Sequence, residues 1–179
     1  MRKLTMPELN RLNITEYHNV KKTPIIIVLD NVRSLANVGA FFRTADAFRI
    51  EAIYLCGITA RPPHREIHKT ALGAEESVDW QYFETTTDAC EQLKTMNYRI
   101  FAVEQVENSI KLNDFSVPVP SAYVFGNEVD GVDDTVLPYC EQAIEIPQEG
   151  TKHSLNVAVS GGIVMYHLFN NLKNNHQKH

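Results

Sequence analysis

Apolar residues in this chain fall in short dense blocks separated by polar stretches. The first block, Ile25-Ile26-Ile27-Val28-Leu29, has no polar interruption and is rich in β-branched residues. Such a run reads as a strand covered on both faces, as in a parallel sheet. Residues 25–30 and 52–55 are the clearest strands, and 81–83, 99–103, 122–125 and 143–146 read as further ones. Between the first two, Ala40, Phe41, Ala45 and Phe48 recur near helical spacing. Val38 to Phe48 is therefore expected to be a helix, which Ser34 or Asn37 can cap. Residues 87–96 and 154–170 read as two more helices, the second apolar around most of its circumference. Gly161 and Gly162 sit inside that helix, where each costs about 1 kcal/mol relative to alanine, and close helix packing is the expected compensation. A helix of this kind is buried within the monomer or packed on a second copy. Strands alternating with helices give an α/β class, with a mostly parallel sheet flanked by helices. A short helix around Pro7–Leu12 and a basic connector precede the sheet, and a polar tail follows Asn171.

A length of 179 residues fits one domain with a real core. The expected division is a basic extension over 1–23, one domain over 24–173 and a tail over 174–179. Cys56, Cys90 and Cys140 are far apart and odd in number, with neither metal-ligand spacing nor a disulfide framework. They fit a reducing compartment, and no stretch has the length of a membrane span or the apolar core of a signal peptide, so a cytoplasmic protein is expected. The net charge of −5 argues against a general nucleic-acid binder. Its distribution changes that picture. Residues 1–23 hold five Lys/Arg against two acids, whereas 104–149 hold ten acids against one Lys. Such a split can present a basic face to phosphates, or it can be uneven surface solvation.

Three segments carry candidate chemistry. The first is Asn37-Val38-Gly39-Ala40-Phe41-Phe42-Arg43, just past the first strand. Arg43 offers a rigid fork of donors for phosphate or an oxyanion, unless it merely pairs with Asp46 three residues on. The second is Phe125-Gly126-Asn127-Glu128-Val129-Asp130-Gly131, where Gly126 and Gly131 permit a tight turn at a strand end. The third is Ile146-Pro147 followed by Ser154-Leu155-Asn156-Val157, a strand end, a loop and a helix start that Ser154 can cap. Apart from these, Arg61, His64, Arg65 and Lys69 surround Pro62-Pro63 and suit either a phosphate-contacting loop or a solvated one. The histidines lack the partners of a zinc site, so no metal is expected.

In order and spacing, the three segments resemble the motifs of the SpoU (TrmH-like) family of SPOUT RNA 2′-O-methyltransferases, over about Pro24 to Asn171. The resemblance implies a C-terminal trefoil knot whose loops hold S-adenosylmethionine. It implies methyl transfer to a ribose 2′-hydroxyl of tRNA or rRNA. It also implies a homodimer packed through the C-terminal helix. Arg43 then matches the catalytic position, with Asn37, Glu128, Ser154 and Asn156 around the reaction centre and Glu128 holding Asn37 or Arg43. Gly126, Ile146 and Leu155 line the cofactor pocket, and Val103 with Glu104 matches the ribose side by position. A guanidinium is almost never free to accept a proton, so Arg43 is expected to orient the hydroxyl and stabilise the developing alkoxide. A catalytically silent RNA-binding paralogue is the main rival. A dinucleotide-binding oxidoreductase is less favoured, because the turn after Asp30 lacks the glycine fingerprint.

Overall fold

A computed structural model describes the backbone of residues 1–176 and the side chains of residues 1–174. Its centre is a seven-stranded sheet in which every pairing is parallel. The strands are β1 Thr23–Asp30, β2 Ile50–Cys56, β3 Asp79–Phe83, β4 Arg99–Val103, β5 Ile110–Lys111, β6 Ser121–Phe125 and β7 Gln142–Glu145. They lie in the order β3-β2-β1-β6-β4-β7-β5.

Alternation along β1 explains the layering. Ile25, Ile27 and Leu29 face one apolar layer, and Ile26 and Val28 face the other. The first layer is covered by helices α2 (Leu35–Ala47), α3 (Arg65–Ala71) and α6 (Val157–His176). The second is covered by α5 (Thr86–Thr95). A strand enclosed this way has no polar face, which is why its sequence is a continuous apolar run.

Two glycines set the close contacts among the covering helices. A Cβ on Gly39 would collide with the Thr70 hydroxyl and the Ile67 carbonyl, so the glycine lets α3 sit against α2. A Cβ on Gly161 would strike the Phe41 ring, so that glycine lets α6 sit against α2. Gly162 faces open space and makes no such contact. The compensation expected for both glycines therefore applies within the monomer to Gly161 alone.

Other boundaries moved. The expected helix around Pro7–Leu12 is a single 3-10 turn, Pro7–Leu9. The helical segment lies later, at α1 (Ile14–Asn19), where Asn13 and Glu16 close a reciprocal capping box. The C-terminal helix starts at Val157 rather than at Ser154 and runs to His176. Residues 177–179 of the expected tail lie outside the described residues. A short helix, α4 (Ala74–Ser77), follows α3, and neither was legible beforehand.

Candidate active site

The carboxyl ends of β4, β6 and β7 open into a cleft of about 640 Å³. Open parallel sheets bind ligands at this end, where the strand order reverses. Val103, Gly126, Ile146 and Leu155 all line the cleft, together with Glu128, Ser154 and Asn156. The loop after β6 is folded tightly on itself. Asn127 and Gly131 exchange backbone hydrogen bonds, and the Asn127 side-chain oxygen accepts from the Val129 and Asp130 N–H groups at 2.8 Å each. Gly131 adopts φ +74°, which a glycine tolerates without strain. A Cβ at Gly126 would collide with the Gly131–Val132 backbone, so the turn closes only around a glycine.

The three segments meet at one hydrogen-bonded chain. The Asn37 side-chain N–H donates to Glu128 Oε1 at 2.8 Å, and the Asn156 side-chain N–H donates to Asn37 Oδ1 at 3.2 Å. Asn156 also caps α6, its Oδ1 accepting from Ala158 and Val159 N–H. The cap expected at Ser154 is therefore two residues late, at a side chain that reaches both its own helix and Asn37. Ser34 caps α2, accepting from Asn37 N–H at 3.3 Å. Glu128 further accepts the Arg33 and Ser34 N–H groups at 3.2 and 3.3 Å. Partial burial pushes its carboxyl up, but the Asn37 amide and these backbone donors outweigh burial and hold it below the ordinary carboxylate value. Glu128 thus anchors the start of α2 as an anion.

Arg43 stands apart from the cleft. It lies six residues beyond Asn37 on α2, about 9 Å along the helix axis, and is exposed. The alternative pairing with Asp46 does not form, and Asp46 Oδ1 accepts instead from the Ser77 hydroxyl at 2.8 Å. Among the described residues Arg43 makes no ion pair. The second basic group also lies outside the cleft. His64 caps α3 by accepting from Glu66 N–H, Lys69 is 3.9 Å from Glu66, and the Arg61 guanidinium lies 4.3 Å over the Tyr82 ring. Arg65 is exposed on the first turn of α3.

Three further residues hold the cleft in shape. Glu104, weighed beforehand only by position, accepts Val132 N–H through Oε2 at 3.1 Å and Gln105 N–H through Oε1 at 2.8 Å. The Gln105 side chain donates to the His153 carbonyl at 3.1 Å, tying down the loop before α6. Asp30, buried at the end of β1, accepts from Thr86 and Asn31 on one oxygen and from Asp133 N–H on the other, at 2.8 Å. The only prior signal for Glu104 and Asp30 is an acid closing an apolar strand. Among the described residues, no three His, Cys, Asp or Glu side chains stand together as metal ligands, and no helix is long and apolar enough to cross a membrane.

Known proteins share both the sequence pattern and the fold. A 23S rRNA (guanosine-2′-O-)-methyltransferase RlmB from Neisseria meningitidis is 30% identical over 147 residues, covering 82% of this chain and 58% of that protein. An uncharacterized tRNA/rRNA methyltransferase from Borreliella burgdorferi is 28% identical over 159 residues, covering 87% and 68%. The chain thus spans little more than half of the first relative. The crystal structure of an A. aeolicus TrmH/SpoU tRNA modifying enzyme superimposes with a TM-score of 0.81 at 23% identity, over 90% of this chain and 83% of that one. An AdoMet-bound rRNA methyltransferase from Sinorhizobium meliloti gives a TM-score of 0.79 at 24% identity, over 87% and 60%. The parallel sheet with its flanking helices is therefore a shared fold, and the trefoil knot is what the family resemblance implies. A family model for the SpoU rRNA Methylase family matches residues 24–166, a span that includes all three segments of the hydrogen-bonded chain, and the protein belongs to that family.

Proposed function

We propose that this protein transfers a methyl group from S-adenosylmethionine to a ribose 2′-hydroxyl of tRNA or rRNA. The observation that carries the reading is the chain Glu128–Asn37–Asn156, one residue from each segment, at the mouth of a cleft that suits the cofactor. At about 640 Å³ the cleft has room for a nucleoside-sized ligand. The apolar strand ends Val103, Ile144 and Ile146, with Leu155, suit an adenine face, and Glu104, Asp130 and Glu145 supply negative charge for a sulfonium and an ammonium. The cofactor, when bound, supplies a methyl group made electrophilic by its sulfonium.

The chain's own residues position and polarise. Asn156 and Asn37, locked through Glu128, present fixed amides at the cleft mouth, where the ribose must arrive. Arg43, in no ion pair among the described residues, takes a phosphate of the RNA beyond the cleft mouth and so positions the 2′-hydroxyl. Arg61, Arg65 and Lys69 add flanking positive charge, with His64 beside them. A homodimer forms through the outward face of α6, where Val159, Ile163 and Tyr166 are exposed in one apolar stripe. Unpaired Cys56, Cys90 and Cys140 fit a reducing cytoplasm.

Calorimetry with S-adenosylhomocysteine and transfer of labelled methyl groups to total tRNA and rRNA test the reading together. Binding with transfer blocked by 2′-deoxy substitution at the acceptor supports it. Absence of S-adenosylhomocysteine binding overturns it. Binding without transfer to any RNA favours the silent paralogue.

A further inference from the structure

The basic N-terminal segment has no part in the reaction just described. It folds across the opposite end of the sheet, against the start of β1, the end of α2 and the last turns of α6. There it encloses a second cavity, of about 880 Å³. Five cations line this cavity, Arg11, Lys21, Lys22, Arg49 and Lys173, against the single carboxylate of Asp46. Among the described residues, none of the five forms an ion pair. In a chain of net charge −5, that is a local reversal of sign.

Leu12, Ile14, Val119, Phe169 and Leu172 add apolar groups to the same lining. Tyr17 also lines the cavity and is only 5% exposed, yet its buried hydroxyl has no hydrogen-bond partner. Buried hydroxyls are seldom left unpaired, and this one is sealed from solvent, so a ligand reaches it only by opening the wall around it. Asp46 shares one oxygen with Ser77 and keeps the other as an acceptor. A phenol donor and a carboxylate acceptor beside apolar groups match the edge of a nucleobase, which carries both acceptors and donors. The lining cations match its phosphates.

We propose that this cavity seats one unstacked nucleotide of the substrate RNA, its phosphates on Arg11, Arg49 and Lys173 and its base edge between Tyr17 and Asp46. The proposal rests on the reading of the protein as an RNA methyltransferase. Helix α2 links the two sites, with Asn37 at the cleft and Asp46 at the cavity nine residues on, about 14 Å apart along the axis. A short single strand spans that distance.

The test uses the full chain, a labelled single-stranded RNA 12-mer of mixed sequence, fluorescence anisotropy across a salt series, and calorimetry with S-adenosylhomocysteine. The triple variant Arg11→Ala/Arg49→Ala/Lys173→Ala changes only lining cations. It should bind RNA at least ten-fold more weakly, with the slope of log affinity against log salt reduced by about 2, since each single-strand phosphate contact contributes about 0.7. Tyr17→Phe removes one oxygen and should weaken RNA binding by about three- to ten-fold at an unchanged slope. Both variants should bind S-adenosylhomocysteine as the wild type does. Unchanged RNA affinity in either variant, with normal S-adenosylhomocysteine binding, overturns the cavity. Loss of mass by light scattering in the triple variant at unchanged RNA affinity assigns the cavity to a contact between copies and overturns it too. Failure of the wild type to bind S-adenosylhomocysteine counts instead against the methyltransferase reading.

Discussion

At the scale of single residues, the site is built from amides and carboxylates that hold one another. Glu128 is the anchor, because it accepts both from the backbone before α2 and from the Asn37 side chain. Glu128→Gln keeps the shape and removes the charge, and it should lower turnover by about ten- to a hundred-fold through misplacement of Asn37. The pH dependence follows from the sign of the shift. A carboxyl held below its unfolded value contributes stability above that value and loses it as pH falls through the folded one. The advantage of wild type over Glu128→Gln in thermal melts should therefore persist at neutral and mildly acid pH and vanish below the ordinary carboxylate range. Glu104 acts one step further out, on the loop Gly131–Val132. Glu104→Ala should raise KM for S-adenosylmethionine about ten-fold, the loss expected for a charged hydrogen bond of about 1.5 kcal/mol, with a smaller effect on kcat. Arg43→Ala should do the opposite. It should cost about 10²-fold in methyl transfer through misplaced RNA and leave S-adenosylhomocysteine affinity unchanged, since Arg43 touches no part of the cleft. Near-normal turnover in that variant removes Arg43 from the reaction.

At the scale of elements, the helix glycines separate two roles that look alike in sequence. Gly161→Leu drives a side chain into the Phe41 ring and should destabilise the fold by about 1–3 kcal/mol in denaturant titrations. Gly162→Ala meets open space and should be neutral or stabilise the monomer by up to about 1 kcal/mol. Strands β1, β2, β4 and β6 were legible because burial on both faces leaves the middle of each almost wholly apolar. Strand β5 was not, since two residues carry no period. Helix α3 was hidden for a related reason: only Ile67 and Ala71 are buried, and the charged residues between them read as loop. The start of α6 was expected at Ser154, a good cap, but Asn156 takes that place. What decides is a tertiary contact, the reach of Asn156 to Asn37, and no local spacing encodes it. The same holds for Gln105 on His153 and Asp30 on Asp133, where partners lie far apart in the chain.

At the scale of the whole molecule, the outer surface of α6 is the feature that one chain leaves unfinished. Its inner face buries Val164, Met165 and Leu168 completely, while Val159, Ile163 and Tyr166 remain exposed at 52%, 39% and 57%. Val159, Gly162, Ile163 and Tyr166 recur at helical spacing, so they form one stripe, with Gly162 as a gap where a second helix can approach. The stripe begins beside Asn156, so a partner seated on it would also steady the cleft mouth. A symmetric pair, each placing this face on the other, buries the stripe twice with one set of contacts. Ile163→Asp puts a charge in the middle of that contact and touches nothing in the monomer's core. It should convert a dimer to a monomer in sedimentation analysis at micromolar concentration while leaving the far-ultraviolet circular dichroism unchanged. Methyl transfer should fall along with the dimer, and raising the protein concentration should restore part of both. A wild-type protein that sediments as a monomer across that range rules out the dimer and leaves the stripe as exposed surface.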